Sequence, residues 1–303
     1  MIMIDSVTKD FEAVSALSDV SLKIENGSIF GLIGSNGSGK STLLKILCGV
    51  YKTTDGNVTY DGLDVYENSE VKKKIVFLSD DQYFMPNSST ADMAELYKCV
   101  YPTFSEAKYS EYLKIFGIDE KRKINTFSKG MQKQVSVILG LASMTEYLFC
   151  DETLDGLDPV MRKTVRSIVA AEVAERGTCV VFASHNLKEI EDICDHVALL
   201  HKGKLLFEAG LDDVKFGIHK VQVSIERDKC ALAEQELSKL NTVSLKKRGS
   251  LFTLVVRGSE EEISAHIKEL NPLFVEFIPL TLEEIFISEM EDRGYEFREE
   301  FIG

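Results

Sequence analysis

No stretch of this 303-residue sequence approaches the roughly 18 consecutive apolar residues that a membrane-spanning helix requires. Its longest apolar run, Val135 to Met144, is interrupted by Ser136, Gly140 and Ser143, so the chain is not expected to cross a bilayer. The opening MIMIDSVTKDFEAV has acidic residues and no cationic lead into an apolar block, unlike a secretory signal. A cytoplasmic location is the expectation. Basic charge is scarce too: 35 Lys and Arg against 49 Asp and Glu leave a net charge of −14. That balance repels phosphate backbones and anionic headgroups, so nucleic acid is not an expected partner. The six cysteines (Cys48, Cys99, Cys150, Cys179, Cys194, Cys230) form no CxxC pair and sit mostly in apolar segments, as reduced core thiols do. No internal repeat, low-complexity tract or heptad run appears.

What is present is an alternation of strands and helices. Residues 3–33 read as short strands ending in GSIFGLIG, where Gly31 and Gly34 open a loop into the helical STLLKILCGV. Residues 90–125 change texture toward Tyr, Lys, Glu and Ala at helical spacing. A second pairing runs from YLFC through DETLDGLDP into VMRKTVRSIVAAEVAE, with Asp158 placed as N-cap and Pro159 as first helical residue. A third runs from CVVFAS into HNLKEIEDICD, with Asn186 and Glu189 at capping-box spacing. Such alternation predicts an α/β fold with a largely parallel, covered sheet. After about residue 215 the order becomes βαββαβ, matching a small split-βαβ α+β domain, followed by a helix with Thr281 and Glu284 as a capping box and a loose acidic end. The expected domains are therefore 1–214 and 215–303.

The segment GSNGSGKST fits G-x-x-x-x-G-K-[ST] at Gly34, Gly39, Lys40 and Ser41, between a strand and a helix. With Gly near 7% of residues, those four positions arise by accident in roughly one chain of this length per hundred, and the strand–loop–helix context cuts that further. A loop that turns its N–H groups onto a triphosphate needs conformations cheap only for glycine, hence Gly34, Gly37 and Gly39. Lys40 supplies a mobile charge for the β- and γ-phosphates, and Ser41 a hydroxyl for Mg²⁺. Asp151 and Glu152 end an apolar strand, which delivers both carboxylates to the sheet edge where the phosphate loop lies. One suits the Mg²⁺ shell and the other suits polarising a water. His185 ends CVVFAS, where it is either a phosphate donor or an ordinary surface histidine.

Taken together, residues 3–208 resemble the ABC ATPases. Beside the phosphate loop stand FSKGMQKQ (127–134), similar to the family signature; FCDETLDGLDP (149–159), similar to Walker B and the D-loop; FASH (182–185); and Phe11, where such domains stack an aromatic on adenine. The resemblance implies a P-loop NTPase core with an antiparallel β subdomain and a helical subdomain at about 83–135. It implies that Gly34, Ser35, Asn36, Gly37, Ser38, Gly39, Lys40, Ser41 and Thr42 hold ATP and that Ser41 and Asp151 hold Mg²⁺. Glu152 becomes the base and His185 the γ-phosphate switch. It further implies that Ser128 and Gly130 meet ATP bound by a second ATPase subunit, identical or related, in a head-to-tail dimer with Asp158 at the seam. Ser128 is also placed to cap a helix starting near Lys129.

Lys129 and Met131 depart from the common signature toward the SKGM form of the ABC-2 branch, separate-subunit exporters that include drug and antibiotic-resistance ATPases. Thr153 stands where proline is usual after Glu152, and Asp80 stands where glutamine is expected, with Gln82 two residues on; Asp80 is the first choice for a role at the metal. The resemblance thus implies an ATPase attached to the inner membrane face through a multi-span permease, driving export. The C-terminal domain is expected to steady the dimer rather than to bind a regulator. A soluble ABC ATPase of translation or DNA maintenance is the alternative, disfavoured by the single cassette, the lack of heptads and the acidic balance.

Overall fold

The computed structural model describes residues 1–212 and 217–292, with side chains of the last helix described through residue 287. The expected 214/215 boundary and the acidic end lie outside the described residues. The chain divides into two compact units, Met1–Glu208 and a second beginning at Ala209.

The first unit holds two sheets. β1 (Ile2–Phe11) and β2 (Val14–Ile24) form an antiparallel ribbon that β4 (Asp55–Tyr60) and β5 (Leu63–Asp64) extend in the order β2-β1-β4-β5. These first strands, at 10 and 11 residues, are longer than the short strands expected, and register shifts in β1 accommodate their length. The second sheet is built from β3 (Ile29–Ile33), β6 (Ile75–Leu78), β7 (Tyr147–Asp151), β8 (Cys179–Ser184), β9 (His196–His201) and β10 (Lys204–Gly210), in the order β10-β9-β3-β8-β7-β6. The β9-β3-β8-β7-β6 pairings are parallel. Every residue of β3, β7 and β8 is buried, which explains why these strands read as unbroken apolar runs rather than as alternation. The sheet core packs Phe30, Phe149, Val181 and Ala198 against Leu43, Leu44 and Leu47 of α1 (Lys40–Leu47). Each large apolar side chain so buried contributes about 1.5–3 kcal/mol.

The remaining helices of this unit are α2 (Ser69–Lys72), α3 (Thr90–Val100), α4 (Glu106–Phe116), α5 (Lys129–Ala142), α6 (Pro159–Arg176) and α7 (Leu187–Glu191). Their starts follow local chemistry. The Ser128 hydroxyl accepts from the Met131 N–H at 3.3 Å, and the Asp158 carboxylate accepts from the Val160 and Met161 N–H groups at 3.0 Å each, ahead of Pro159. The expected Asn186–Glu189 capping box is only half made. Asn186 accepts from Lys188 N–H at 3.2 Å, but Glu189 turns away to pair with Arg162 at 3.0 Å, because a buried carboxylate gains more from a guanidinium than from one amide.

The second unit follows β11 (Ile218–Ser224), α8 (Cys230–Leu237), β12 (Thr242–Arg248), β13 (Leu251–Arg257), α9 (Glu260–Glu269), β14 (Phe274–Ile278) and α10 (Leu282–Asp292). Its antiparallel sheet runs β12-β13-β11-β14, with β13 splitting the β11–α8–β12 unit, so the βαββαβ order expected from sequence is the order found. Alternate residues Phe252, Leu254 and Val256 join Val221, Val223, Leu237, Ile263 and Ile267 in a core of its own. The Thr281–Glu284 box is made in both directions, at 3.3 and 3.2 Å.

Candidate active site

Strand order is what assembles the site. β3, β8, β7 and β6 are consecutive neighbours, all parallel, so their carboxyl ends share one edge. In that order the edge receives the 34–42 loop, His185, Asp151 with Glu152, and, two residues beyond β6, Asp80.

The loop between β3 and α1 is shaped by close approach. A Cβ on Gly34 would lie 2.3 Å from the Leu200 carbonyl oxygen, and one on Gly39, at φ +107°, 2.8 Å from that of Ala16. Whereas Ser89, Ser105, Ser128 and Asp158 cap their helices with side chains, Gly39 leads α1 without one. The first amides of α1 are therefore left for an anion. Lys40, only 5% exposed, lies back over the loop, donating to the carbonyls of Gly34 at 2.7 Å and Ser35 at 3.3 Å. Burial holds its ammonium below the ordinary lysine range, with Glu152 and Asp151 opposing the shift. Ser38 is buried with its hydroxyl unpartnered among the described residues.

Asp151 is buried, and its Oδ1 lacks a hydrogen bond among the described residues. Burial raises its carboxyl above the usual range, while a hydrogen bond from the Ser41 hydroxyl works the other way. An orphaned carboxylate oxygen beside a hydroxyl is the hard-oxygen donor set that suits Mg²⁺. Thr153 is buried too, its hydroxyl 3.4 Å from the Leu78 carbonyl oxygen, a tie to β6 in place of a proline's stiffness.

Glu152 leaves β7 with φ +47°, a conformation side-chain-bearing residues rarely adopt. Its N–H donates to the Ala183 carbonyl at 3.0 Å. Its Oε2 lies 2.9 Å from His185 Nδ1 and its Oε1 3.7 Å from Lys40 Nζ. Asp155, inside the same motif but given no role from sequence, stands 3.8 Å from His185 Nδ1. Burial pushes the Glu152 carboxyl up; the hydrogen bond to Glu152 pushes His185 up, against a weaker opposing effect of burial. The imidazolium is thus favoured by the carboxylate and gives up its proton only as pH rises past its raised value. Replacing Glu152 with glutamine should lower the His185 titration midpoint. An NMR titration of the ring, assigned with a His185→Gln chain, checks this, and an unchanged midpoint would mean the 2.9 Å contact does not form in solution.

Asp80 is 60% exposed and ion-paired with Lys133 of α5 at 2.9 Å. Gln82 points elsewhere, lining a groove of about 330 Å³ with Tyr83, Phe84, Met85, Ile124 and Gln132. Phe11 makes an edge contact with Tyr51, centroids 5.3 Å apart, with Lys9 Nζ 4.9 Å from its ring centroid. Tyr51, just beyond α1, was not distinguishable by sequence from any exposed aromatic. Ser128 is exposed, and a Cβ on Gly130 would lie 3.1 Å from the Gly156 carbonyl, so the signature residues pack against the turn leading to Asp158.

The chain that carries this edge is similar to known proteins. Residues 17–155 fit the family model described as ABC transporter. The chain is 31% identical over 289 residues to the ABC transporter ATP-binding protein YtrB of Bacillus subtilis, covering 95% of this chain and 97% of that one. It is 29% identical over 212 residues to the bacitracin transport ATP-binding protein BcrA of Bacillus licheniformis, covering 69% of each. Its fold superposes, with a TM-score of 0.63 and 23% identity, on a dimeric ATP-binding cassette in a post-hydrolysis state bound to ADP and Pi, over 70% of this chain and 99% of the other. Sequence and fold agree that the chain belongs to the ABC transporter ATP-binding proteins, as an ATP-binding, ATP-hydrolysing subunit of a transporter.

Proposed function

We propose that this subunit closes on Mg²⁺-ATP together with a second ATPase subunit and uses the closure to move the helices of a separate multi-span permease. The observation that carries the reading is the convergence of the 34–42 loop, Asp151, Glu152 and His185 on one edge. The backbone of residues 34–39 and the start of α1 cradle the phosphates, Lys40 swings from the Gly34 carbonyl to the β- and γ-phosphates, and Thr42 and Ser38 complete the cradle. Ser41 and Asp151 would hold Mg²⁺, which when bound shields the charge on the phosphates. Glu152 positions the attacking water and accepts its proton, and His185 turns from Glu152 to the γ-phosphate. The Phe11–Tyr51 pair offers the aromatic surface for adenine.

Ser128 and Gly130 reach the γ-phosphate of the second subunit's ATP, with Asp158 near the seam, in the head-to-tail arrangement. That contact makes the closed state depend on the γ-phosphate, the differential affinity a switch needs. The groove lined by Tyr83 and Met85 receives the permease at the cytoplasmic face of the membrane. Likeness to a bacitracin transport protein and the SKGM signature support export. The second unit, with its own core, steadies the dimer. The test is to purify the tagged chain from membranes, identify the multi-span protein that accompanies it, and measure ATP turnover with and without it. Turnover altered by the permease is expected; a chain that purifies alone, with turnover indifferent to the permease, would refute the reading.

A further inference from the structure

Lys133 lies within the FSKGMQKQ segment but has been given no role of its own, yet it touches the catalytic carboxylate's backbone. It lies in the first turns of α5, 14% exposed, and its ammonium donates to the Glu152 carbonyl oxygen at 2.9 Å and to Asp80 Oδ1 at 2.9 Å. Asp80, a departure from the family pattern, is therefore half of an ion pair with this lysine. The carbonyl it grips belongs to a residue at φ +47°. Such a conformation persists only where neighbours over-determine it. Here the N–H of Glu152 is held by the Ala183 carbonyl at 3.0 Å, and its carbonyl by Lys133 and, at 3.3 Å, by the Asp155 N–H. With both flanking peptide planes fixed, the direction of the Glu152 side chain toward His185 and Lys40 is fixed too.

We propose that Lys133, anchored by Asp80, is a positioning residue for ATP hydrolysis: it locks the peptide after Glu152 so that the carboxylate faces the attacking water. The inference rests on the reading of Glu152 as that carboxylate. Asp80 accordingly serves as the lysine's tether rather than as a metal ligand. A pair acting only on stability would do little, because Asp80 is largely in solvent, where an ion pair contributes at most marginally.

The experiment uses the full chain and four variants, Lys133→Met, Lys133→Arg, Asp80→Asn and the double Lys133→Met/Asp80→Asn, with Glu152→Gln alongside. ATP affinity, Mg²⁺ requirement, kcat and thermal melting are measured for each. Misdirecting a carboxylate by a fraction of an ångström should lower kcat by about 10- to 100-fold in Lys133→Met, with ATP affinity and melting near wild type. Lys133→Arg should recover part of the loss, Asp80→Asn should lose less than Lys133→Met, and the double variant should be no worse than Lys133→Met alone, since the tether has nothing left to hold. Wild-type kcat in Lys133→Met, additive losses in the double variant, or an Asp80→Asn defect cured by excess Mg²⁺ would overturn the proposal. Should Lys133→Met fail to fold, an Asp80→Asn chain with wild-type kcat overturns it equally. Glu152→Gln separates the two claims: if it keeps turnover, the reading of Glu152 falls; if it loses turnover while Lys133→Met does not, only the positioning role falls.

Discussion

Replacing Lys40 with alanine is expected to weaken ATP binding by about 1.5–3 kcal/mol, a loss of roughly 10- to 150-fold, the range for a hydrogen bond to a charged group. The lysine is buried at the start of α1 and, without ligand, donates to the Gly34 and Ser35 carbonyls. Alanine removes that buried charge and leaves those carbonyls without their donor. Lys40→Arg should restore little, because a planar guanidinium does not fit a slot shaped for a point charge. Titration of each chain with a fluorescent ATP analogue gives the comparison, and unchanged affinity in Lys40→Ala would mean that the loop does not hold the phosphates through this side chain.

Glu152→Gln should act on the other side of the reaction. Glutamine keeps the shape and can still hydrogen-bond His185, but it cannot take a proton from water, so kcat should drop by about 10²- to 10⁴-fold. ATP affinity should stay near wild type, since the cradle, Lys40 and Asp151 are untouched. The raised carboxyl of Glu152 also sets a sign for pH. The base works only when ionised, so wild-type turnover should fall on acidification at a pH above that of an ordinary carboxylate, and in Glu152→Gln that fall should disappear with the activity.

The features legible in sequence are those in which backbone chemistry dictates residue type. Gly34 and Gly39 could be read because a Cβ at either would collide with a neighbouring strand's carbonyl. Asp158, Ser128 and the Thr281–Glu284 box could be read because helix amides demand a local acceptor. The parallel sheet was legible in the alternation of apolar strands with helices, and the second unit in its βαββαβ order. What sequence did not disclose depends on contacts between distant segments. Asp80 and Lys133 are 53 residues apart and meet only because β6 lies beside β7 under α5. Glu189 has the spacing of a capping residue but is drawn to Arg162, 27 residues away. Tyr51 joins Phe11 only once the β1–β2 ribbon folds beside α1.

The central claim is that ATP is hydrolysed at the shared carboxyl edge of β3, β8, β7 and β6 by water that Glu152 activates. A single-turnover assay of phosphate formation, with wild type and Glu152→Gln both saturated with Mg²⁺-ATP, tests it most directly. The account predicts equal loading of nucleotide and phosphate formation at least about a hundredfold slower in Glu152→Gln. Phosphate formed at the wild-type rate by the fully loaded variant would contradict it.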